Sequence, residues 1–284
     1  MAAKSHSLTA ERAAMHRSVH QMIDDPLVFD DHLAVHIMGA RNRETLEAFR
    51  KKLSEMPGAD FLRAFIAARS RYAEDSLGEA VRGGLRQYVL LGAGLDTFAY
   101  RNPYMREGLR VFEVDHPATQ FWKRALLAEA GIHVPLSLTF VPVDFEAETI
   151  TDKLRQGNFN HGEPAFFSLL GVTPYLTRDS IFSTFKLVAA MKKRSSVVFD
   201  YVLSPALLNE RQRAAFAALS MRVAGAGEPW QTLFDPAALA EELSALGFSS
   251  IEDLGPDEIN ARYFAGRDDN LYVRGFGHIM KAVM

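Results

Sequence analysis

The chain has 284 residues, 48% of them hydrophobic, with a formal net charge of −3 and an isoelectric point near 6.3. A chain of this length and apolar content can bury a large core, which excludes bulk disorder. Its slightly negative charge offers no basic field for a nucleic-acid partner. The absence of cysteine excludes disulfides, thiolate metal sites and a cysteine nucleophile.

Targeting and membrane signals are also missing from the sequence. The amino-terminal stretch MAAKSHSLTAERAAMHR lacks the apolar core of a signal peptide. No later run approaches the ~18 apolar residues of a membrane span. We therefore expect a cytoplasmic protein with no membrane partner, and the sequence gives no signal for an oligomeric state.

The first part of the chain, residues 8 to about 81, has helical periodicity, with breaks at DDPLVFDD and at residues 56–58. Two histidine pairs in it have the i,i+4 spacing of a metal site on a helix: His16/His20 and His32/His36. No third ligand is evident beside either pair. We therefore predict that the protein holds no metal.

The last predicted helix of this region, residues 61–82, carries an apolar stripe at 3.6-residue spacing with Arg69 in its middle. Its neighbours Arg63, Arg71 and Arg82 fall elsewhere on the helix, so we predict that Arg69 alone turns inward. An uncompensated buried charge costs several kcal/mol, so Arg69 needs an anionic partner. That partner is either a structural carboxylate or the carboxylate of a ligand.

After Arg86, predicted strands alternate with helices, which indicates a mostly parallel sheet. Pro117, Thr177 and Asp235 mark predicted helix starts. The last strand follows its predecessor too closely for a crossover helix, so we expect it to be antiparallel. The predicted strands cover residues 87–91, 109–115, 138–143, 165–170, 196–201, 248–254 and 270–278.

A glycine turn follows the first predicted strand, at the place where open α/β sheets bind nucleotides. Gly92 and Gly94 allow the backbone N–H groups of this turn to approach a ligand closely. The second strand ends in Glu113 and Asp115, which share a face because side chains alternate along a strand, and we assign both to the cofactor site. Asp115 lies 21 residues beyond Gly94, a spacing that suits a carboxylate for the ribose hydroxyls of an adenosine.

The turn departs from a dinucleotide fingerprint, because Thr97 replaces its third glycine. Asp96 would repel a pyrophosphate but suits an ammonium group, so a nicotinamide cofactor is disfavoured. The third strand ends in Asp144 and Phe145, which we assign to the adenine amino group and ring, with a helix N-cap as the alternative for Asp144. An adenosine that bears an amino acid and no phosphate is S-adenosylmethionine, whose carboxylate would then be the partner of Arg69.

Four segments, in this order and spacing, resemble the leucine carboxyl methyltransferase family, especially its bacterial branch of S-adenosylmethionine-dependent methyltransferases: GAGLDTFAYR, VFEVDHPATQFWKRALL, VPVDFE and LLGVTPYLT. The similarity extends to DDPLVFDDHLA, AARSRYAEDSL and GEPWQTLFDP. The resemblance implies an α/β fold, with a Rossmann-like methyltransferase sheet of seven strands whose last strand is antiparallel. It also implies a single domain, with a helical cap over residues 1–84, a core over 85–284 and an insertion near 204–234.

The resemblance assigns cofactor contacts residue by residue: Arg69 to the methionyl carboxylate, Gly92 to the cofactor backbone, Asp115 to the ribose, and Asp144 with Phe145 to the adenine. The sequence also departs from the family. Where the protein-modifying members carry a glutamate in the fourth-strand motif, this chain has Leu170. That contact is missing or rebuilt, and recognition of a protein carboxyl-terminal leucine is not expected.

Methyl transfer from a sulfonium is an in-line displacement that needs no acid at the sulfur. A carboxylate acceptor is already ionised at neutral pH, whereas an alcohol or phenol benefits from a positioned base. We predict an O-methyltransferase for a small-molecule acceptor, with carboxylate favoured over hydroxyl or phenol. A cofactor-binding protein without turnover is the alternative that Leu170 suggests.

Two residues are candidates for the acceptor side. Tyr175 is predicted to orient the acceptor oxygen, with a buried core tyrosine as the alternative. His116 is a candidate base, with an N-terminal helix position or an adenosine contact as the alternatives.

Overall fold

One sheet of seven strands organises the computed structural model, which describes residues 7–39, 43–56, 58–145, 147–225, 227 and 229–284. Its strands are β1 (Gln87–Leu91), β2 (Arg110–Asp115), β3 (Leu138–Pro142), β4 (Phe166–Leu169), β5 (Ser196–Val202), β6 (Ser250–Leu254) and β7 (Gly277–Val283). Their order is β3-β2-β1-β4-β5-β7-β6, and β7 runs antiparallel to both neighbours. The predicted sheet and its antiparallel last strand are confirmed.

The first six strands lie within two residues of their predicted bounds, but the predicted last strand, 270–278, is wrong. Leu271 and Val273 are buried and alternate with exposed residues, which imitates a strand. The side chain of Asn260 takes both backbone groups of Val273: its amide donates to the carbonyl at 2.9 Å and accepts from the N–H at 2.7 Å. These groups of Val273 are therefore bonded to a side chain and not to a neighbouring strand, and β7 begins at Gly277.

Helices cover both faces of the sheet and form the amino-terminal region. They are α1 (Leu8–Ile23), α2 (His32–Ile37), α3 (Arg43–Ser54), α4 (Ala59–Arg82), α5 (Pro117–Ala130), α6 (Ile150–Gln156), α7 (Arg178–Ala189), α8 (Glu210–Gly225), α9 (Pro236–Ala245) and α10 (Pro256–Tyr263). The predicted break at 56–58 falls between α3 and α4, and Pro57 itself lies outside the described residues. Helix α10, between β6 and β7, was not predicted. Within the described ranges, no helix is both long and apolar enough to cross a membrane.

Strand β1 shows why the sheet forms the core. All five of its residues are buried. Tyr88 and Leu90 pack on the side of α4, whereas Val89 and Leu91 pack on the opposite side with Phe167 and its neighbours. Burial on both faces is typical of a parallel sheet and explains why the strand reads as a continuous apolar run.

Helix α4 turns two arginines inward, which corrects the prediction that Arg69 alone does so. Arg63 is 7% exposed, and its guanidinium bonds Asp24 at 2.8 Å and Asp60 at 2.6 Å. The apolar stripe did not reveal this second buried face, because α1 and the segment that follows it cover α4 from another side.

Candidate functional site

A cavity of about 370 Å³ opens where the carboxyl ends of β1, β2 and β4 meet the amino-terminal helices. We call its two sides the sheet-side wall and the helix-side wall. The sheet-side wall consists of residues 90–96, Asp115, Phe145, Ser168, residues 170–172 and Tyr175. The helix-side wall consists of Ser7, Thr9, Ala10, Ala13 and Arg17 around α1, Arg69 and Ser70 of α4, and Gly227, Pro229 and Gln231.

The glycine turn after β1 adopts the backbone conformation that its sequence predicts. Gly92 and Gly94 have φ values of 69° and 45°, in the left-handed region that favours glycine. A Cβ on Gly92 would lie 2.3 Å from Cγ2 of Val172. A Cβ on Gly94 would lie 3.0 Å from that of Ala10, so α1 approaches the turn closely. Side chains at either glycine would therefore narrow the cavity.

Two aspartates of the sheet-side wall are held by backbone N–H groups. The two carboxylate oxygens of Asp115 accept hydrogen bonds from the N–H of Gly94 at 2.5 Å and of His116 at 2.6 Å. Burial raises the pKa of Asp115 even though these bonds favour its ionised form. Asp96 accepts from the N–H of Phe98 at 2.8 Å. Both carboxylates line the cavity, and their contacts with a ligand stay predictions.

Arg69 has a structural partner as well as a position in the cavity lining. Its Nη1 donates to Oδ2 of Asp200 at 2.7 Å, and the two side chains are 11% and 6% exposed. No other hydrogen bond joins this guanidinium to the residues that the structure describes, so its remaining N–H groups are available to a ligand. The structural-carboxylate alternative thus describes the protein, and a ligand carboxylate on Arg69 stays a prediction.

The structure corrects the assignment of Glu113 to the cofactor. Glu113 is fully buried and lies outside the cavity lining, with Nζ of Lys123 2.8 Å and the hydroxyl of Tyr100 3.3 Å from its carboxylate. Burial raises the pKa of Glu113 to about 7. Alternation along β2 predicts which face of the sheet a side chain lies on, but not how deeply it is buried. Glu113 is covered by α5, whose Lys123 contacts its carboxylate.

His116 and Asp144 also lie outside the cavity lining. His116 is the N-cap of α5, where its Nδ1 accepts from the N–H of Ala118 at 3.2 Å, which agrees with the helix-start alternative. A role for His116 as a base stays a prediction. Asp144 is not the N-cap of α6, because Thr149 occupies that position. Its Oδ2 lies 4.0 Å from Nε2 of His116, and an adenine contact for Asp144 stays a prediction. Phe145, the next residue, does line the cavity.

Tyr175 is half-buried on the cavity wall, in the short 3₁₀ turn Thr173–Tyr175 after β4. Gln231 ties this turn to the helix-side wall: its side chain donates to the carbonyl of Tyr175 at 2.5 Å and its N–H to the carbonyl of Pro174 at 2.6 Å. Tyr175 therefore lies where the two walls meet. Its role in orienting an acceptor stays a prediction.

Arg17 lines the cavity and was missed by the sequence analysis. It is 7% exposed, with Nε bonded to Asp31 at 2.8 Å and Nη2 bonded to the carbonyl of Leu95 at 2.6 Å. This contact fastens α1 to the glycine turn. Ala10, Ala13 and Arg17 follow at helical i, i+3 and i+7 spacing, which is the signal that could have revealed this face.

Further buried charges extend this connection into α4. Asp31 also accepts from the hydroxyl of Thr97 and lies 3.4 Å from the guanidinium of Arg101. Arg101 in turn bonds both carboxylate oxygens of Glu74. Burial raises the pKa of Glu74 to about 7. A network of five buried or half-buried side chains therefore joins the helix-side wall to the turn.

The first histidine pair, His16 and His20, is buried within the protein. Nδ1 of His20 lies 2.6 Å from Asp24, and its Nε2 accepts from the N–H groups of Val28 and Phe29 at 3.2 Å each. His16 is 1% exposed, and neither of its ring nitrogens has a hydrogen-bond partner among the residues that the structure describes. In the described part of the chain, no three potential ligands gather at one point.

Two solved structures are similar to this chain in fold. A Thermobifida fusca protein provisionally described as a methyltransferase aligns with a TM-score of 0.56 at 15% identity, covering 98% of this chain and 95% of that one. A DUF574 family protein from Streptomyces avermitilis aligns with a TM-score of 0.54 at 18% identity, covering 95% and 96%. These similarities concern the fold alone.

The sequence itself determines the family. The profile of the leucine carboxyl methyltransferase family matches residues 10–189, and the chain belongs to this family. It is 34% identical to YktD of Bacillus subtilis, provisionally named an S-adenosyl-L-methionine-dependent methyltransferase, over 98% of this chain and 97% of that protein. A Mycobacterium marinum protein with the same provisional name is 30% identical over 76% of this chain and 70% of its own length.

Proposed function

We propose that the protein binds S-adenosylmethionine in this cavity and transfers its methyl group to an oxygen of a small molecule. The observation that carries the proposal is the order of side chains along the sheet edge. Because the strands run β3-β2-β1-β4, Phe145, Asp115, Gly92 and Gly171 follow one another, and Arg69 lies against the last of them. This row runs from an aromatic ring through a carboxylate and a glycine turn to a guanidinium.

Each member of the row suits one part of the cofactor. Phe145 offers a ring face to the adenine, and Asp115 accepts from two N–H groups while keeping lone pairs for ribose hydroxyls. The positive φ of Gly92 lets the backbone approach the sulfur-bearing chain. The unused N–H groups of Arg69 suit the methionyl carboxylate. A volume of about 370 Å³ falls within the usual range for a small-molecule site.

The composition of the cavity favours an acceptor that needs no base. Among its described lining residues there is no histidine, lysine or glutamate, and its two aspartates, Asp96 and Asp115, are already bonded to backbone N–H groups. An ionised carboxylate attacks the methyl group without losing a proton, so holding nucleophile, methyl and sulfur in line is sufficient. We therefore favour a carboxylate over a hydroxyl or phenol acceptor, with the hydroxyl of Tyr175 orienting it.

Titration calorimetry with S-adenosylmethionine and S-adenosylhomocysteine tests the binding site. We expect Arg69→Ala and Asp115→Ala each to weaken binding by at least about tenfold, because each removes a charge-assisted contact. Arg71→Ala and Asp179→Ala are matched controls on exposed positions of α4 and α7, and they should leave the affinity unchanged. Wild-type affinity in both cavity variants would refute the assignment.

A panel of carboxylic acids and phenols, followed by release of S-adenosylhomocysteine, tests the reaction. We expect turnover with members of the carboxylate set. Turnover with phenols alone would favour the hydroxyl alternative. Cofactor binding without turnover on any acceptor would favour a binding protein, the alternative that Leu170 suggests.

A further inference from the structure

Asp200, in the middle of β5, holds three groups at the Arg69 end of the cavity. Its Oδ2 accepts from Nη1 of Arg69 at 2.7 Å, and its Oδ1 accepts from the N–H of Gly171. Its backbone carbonyl accepts from the hydroxyl of Thr173. Asp200 is 4% exposed and does not line the cavity, so it can act on a ligand only through these neighbours.

Gly171 completes the support of the guanidinium. Its φ is 73°, and a Cβ on it would lie 2.7 Å from Nη2, 3.1 Å from Nη1 and 3.2 Å from Cζ of Arg69. The guanidinium therefore lies against the bare backbone of Gly171, while Asp200 bonds one edge and the ring of Phe65 lies 5.9 Å from Cζ. An arginine held in this way loses little conformational freedom when a ligand binds.

The position of Asp200 separates it from the other end of the row. Leu169 of β4 pairs with Phe199 of β5, so the residue after Phe199 lies beside the loop that follows β4. Asp115 and Phe145 lie at the ends of β2 and beyond β3, with β1 and β4 between them and β5. A change at Asp200 should therefore reach the Arg69 end of a ligand and leave its adenosine end in place.

We propose that Asp200 is a positioning residue that makes the site selective for adenosine ligands bearing an amino-acid group. The inference rests on the proposed function, because it presumes that Arg69 receives the ligand carboxylate. Asp200 neutralises Arg69, fixes its plane and ties Gly171 to the same place. Without the carboxylate of Asp200, Arg69 would have to be ordered by the ligand itself.

Calorimetry with two ligands tests this proposal. S-adenosylhomocysteine carries the amino-acid group, and 5′-methylthioadenosine lacks it. We expect Asp200→Asn to weaken binding of S-adenosylhomocysteine by at least about tenfold and to change binding of 5′-methylthioadenosine by less than about threefold. Asp253→Asn is the matched control: Asp253 lies on β6, where it bonds the hydroxyl of Tyr201 at 2.8 Å and Nδ1 of His278 at 2.9 Å. It should change neither affinity.

The outcomes separate this inference from the proposed function. If the wild-type protein binds neither ligand, the proposed function fails and the inference falls with it. If it binds both but Asp200→Asn weakens both by the same factor, or weakens neither, only the inference is overturned, because a merely structural role has no preference between the ligands. Should Asp200→Asn fail to fold, Asp200→Ser makes the same comparison with a smaller neutral group. Failure of both variants to fold would also overturn the inference, because it would make Asp200 a structural residue.

Discussion

The two walls of the cavity are built on different physical principles. The sheet-side wall consists of strand ends and a glycine turn, so the backbone hydrogen bonds of a parallel sheet fix its geometry. The helix-side wall is fastened by side chains, above all by Arg17 and Asp31, which are both buried. Backbone hydrogen bonds persist through most side-chain substitutions. Removing one partner of a buried ion pair, in contrast, leaves an uncompensated buried charge and destabilises the folded state. The two walls should therefore respond differently to substitution.

The largest expected effect comes from Asp31→Ala. This change leaves Arg17 without its carboxylate and also removes the N-cap of α2. We expect a loss of about 3–5 kcal/mol in the free energy of unfolding, measured by urea denaturation, because an uncompensated charge stays buried. Asp30→Ala, at the exposed neighbouring position, should cost less than about 0.5 kcal/mol. Similar losses in the two variants would contradict the view that charges hold the helix-side wall.

Acid should loosen the same wall through His16 of α1. Burial lowers the pKa of His16 from 6.5 to about 4, so the unfolded chain binds a proton that the folded chain does not. Its contribution to stability is present above pH 6.5 and is lost as the pH falls toward 4. This difference amounts to at most about 3 kcal/mol.

The variant His16→Leu removes this titration. Between pH 6.5 and 4, we expect its free energy of unfolding to fall less steeply than that of the wild type. Urea denaturation over this pH range measures the difference. His133→Leu, which changes an exposed imidazole, should follow the wild-type curve. Parallel curves for wild type and His16→Leu would show that His16 does not contribute.

On the sheet-side wall, we expect the free energy of unfolding to be sensitive to substitutions that disturb the backbone. Gly92→Ala introduces both left-handed strain and a Cβ 2.3 Å from Val172. Gly84→Ala introduces the strain alone, because nothing lies within 4 Å of its Cβ. We expect Gly92→Ala to cost about 2 kcal/mol more than Gly84→Ala in urea denaturation. Equal costs would mean that the turn yields easily to a side chain.

The same contrast explains what could be predicted from sequence. The glycine turn, the carboxylate of Asp115 at the end of β2 and the helix starts at Thr177 and Asp235 follow from local rules, and the structure places each of them as expected. The helix-side wall depends on contacts between distant segments. Arg17 bonds the carbonyl of Leu95, 78 residues away, and no local rule relates the two.

The errors have the same origin. Alternation along β2 gave Glu113 a face, but its burial depends on Lys123 of a later helix. The apolar alternation around Val273 predicted a strand, but Asn260, 13 residues earlier, takes its backbone groups. In each case the side chain that makes the contact, Lys123 or Asn260, lies outside the local pattern. Local patterns therefore located the sheet-side wall more completely than the helix-side wall.

Tyr175 tests where the two walls meet, and its expected effect is the smallest. Hydrogen bonds from Gln231 hold the backbone of the turn that contains Tyr175. Tyr175→Phe should therefore remove the hydroxyl and leave the turn in place. If the hydroxyl orients the acceptor, kcat should fall by about tenfold, the value of one hydrogen bond made in the transition state. Affinity for S-adenosylhomocysteine should change by less than about twofold, because the proposed cofactor contacts are made by Phe145, Asp115, Gly92 and Arg69 and not by Tyr175.

Tyr272→Phe, at a more exposed tyrosine, is the control for loss of a hydroxyl and should leave both values unchanged. An equal fall in kcat and in cofactor affinity for Tyr175→Phe would place its hydroxyl in the cofactor site. An unchanged kcat would contradict a role for this hydroxyl in orienting the acceptor. Gln231 bonds the turn of Tyr175 directly to the opposite wall. The division between cofactor and acceptor sides therefore depends on which of these results is obtained.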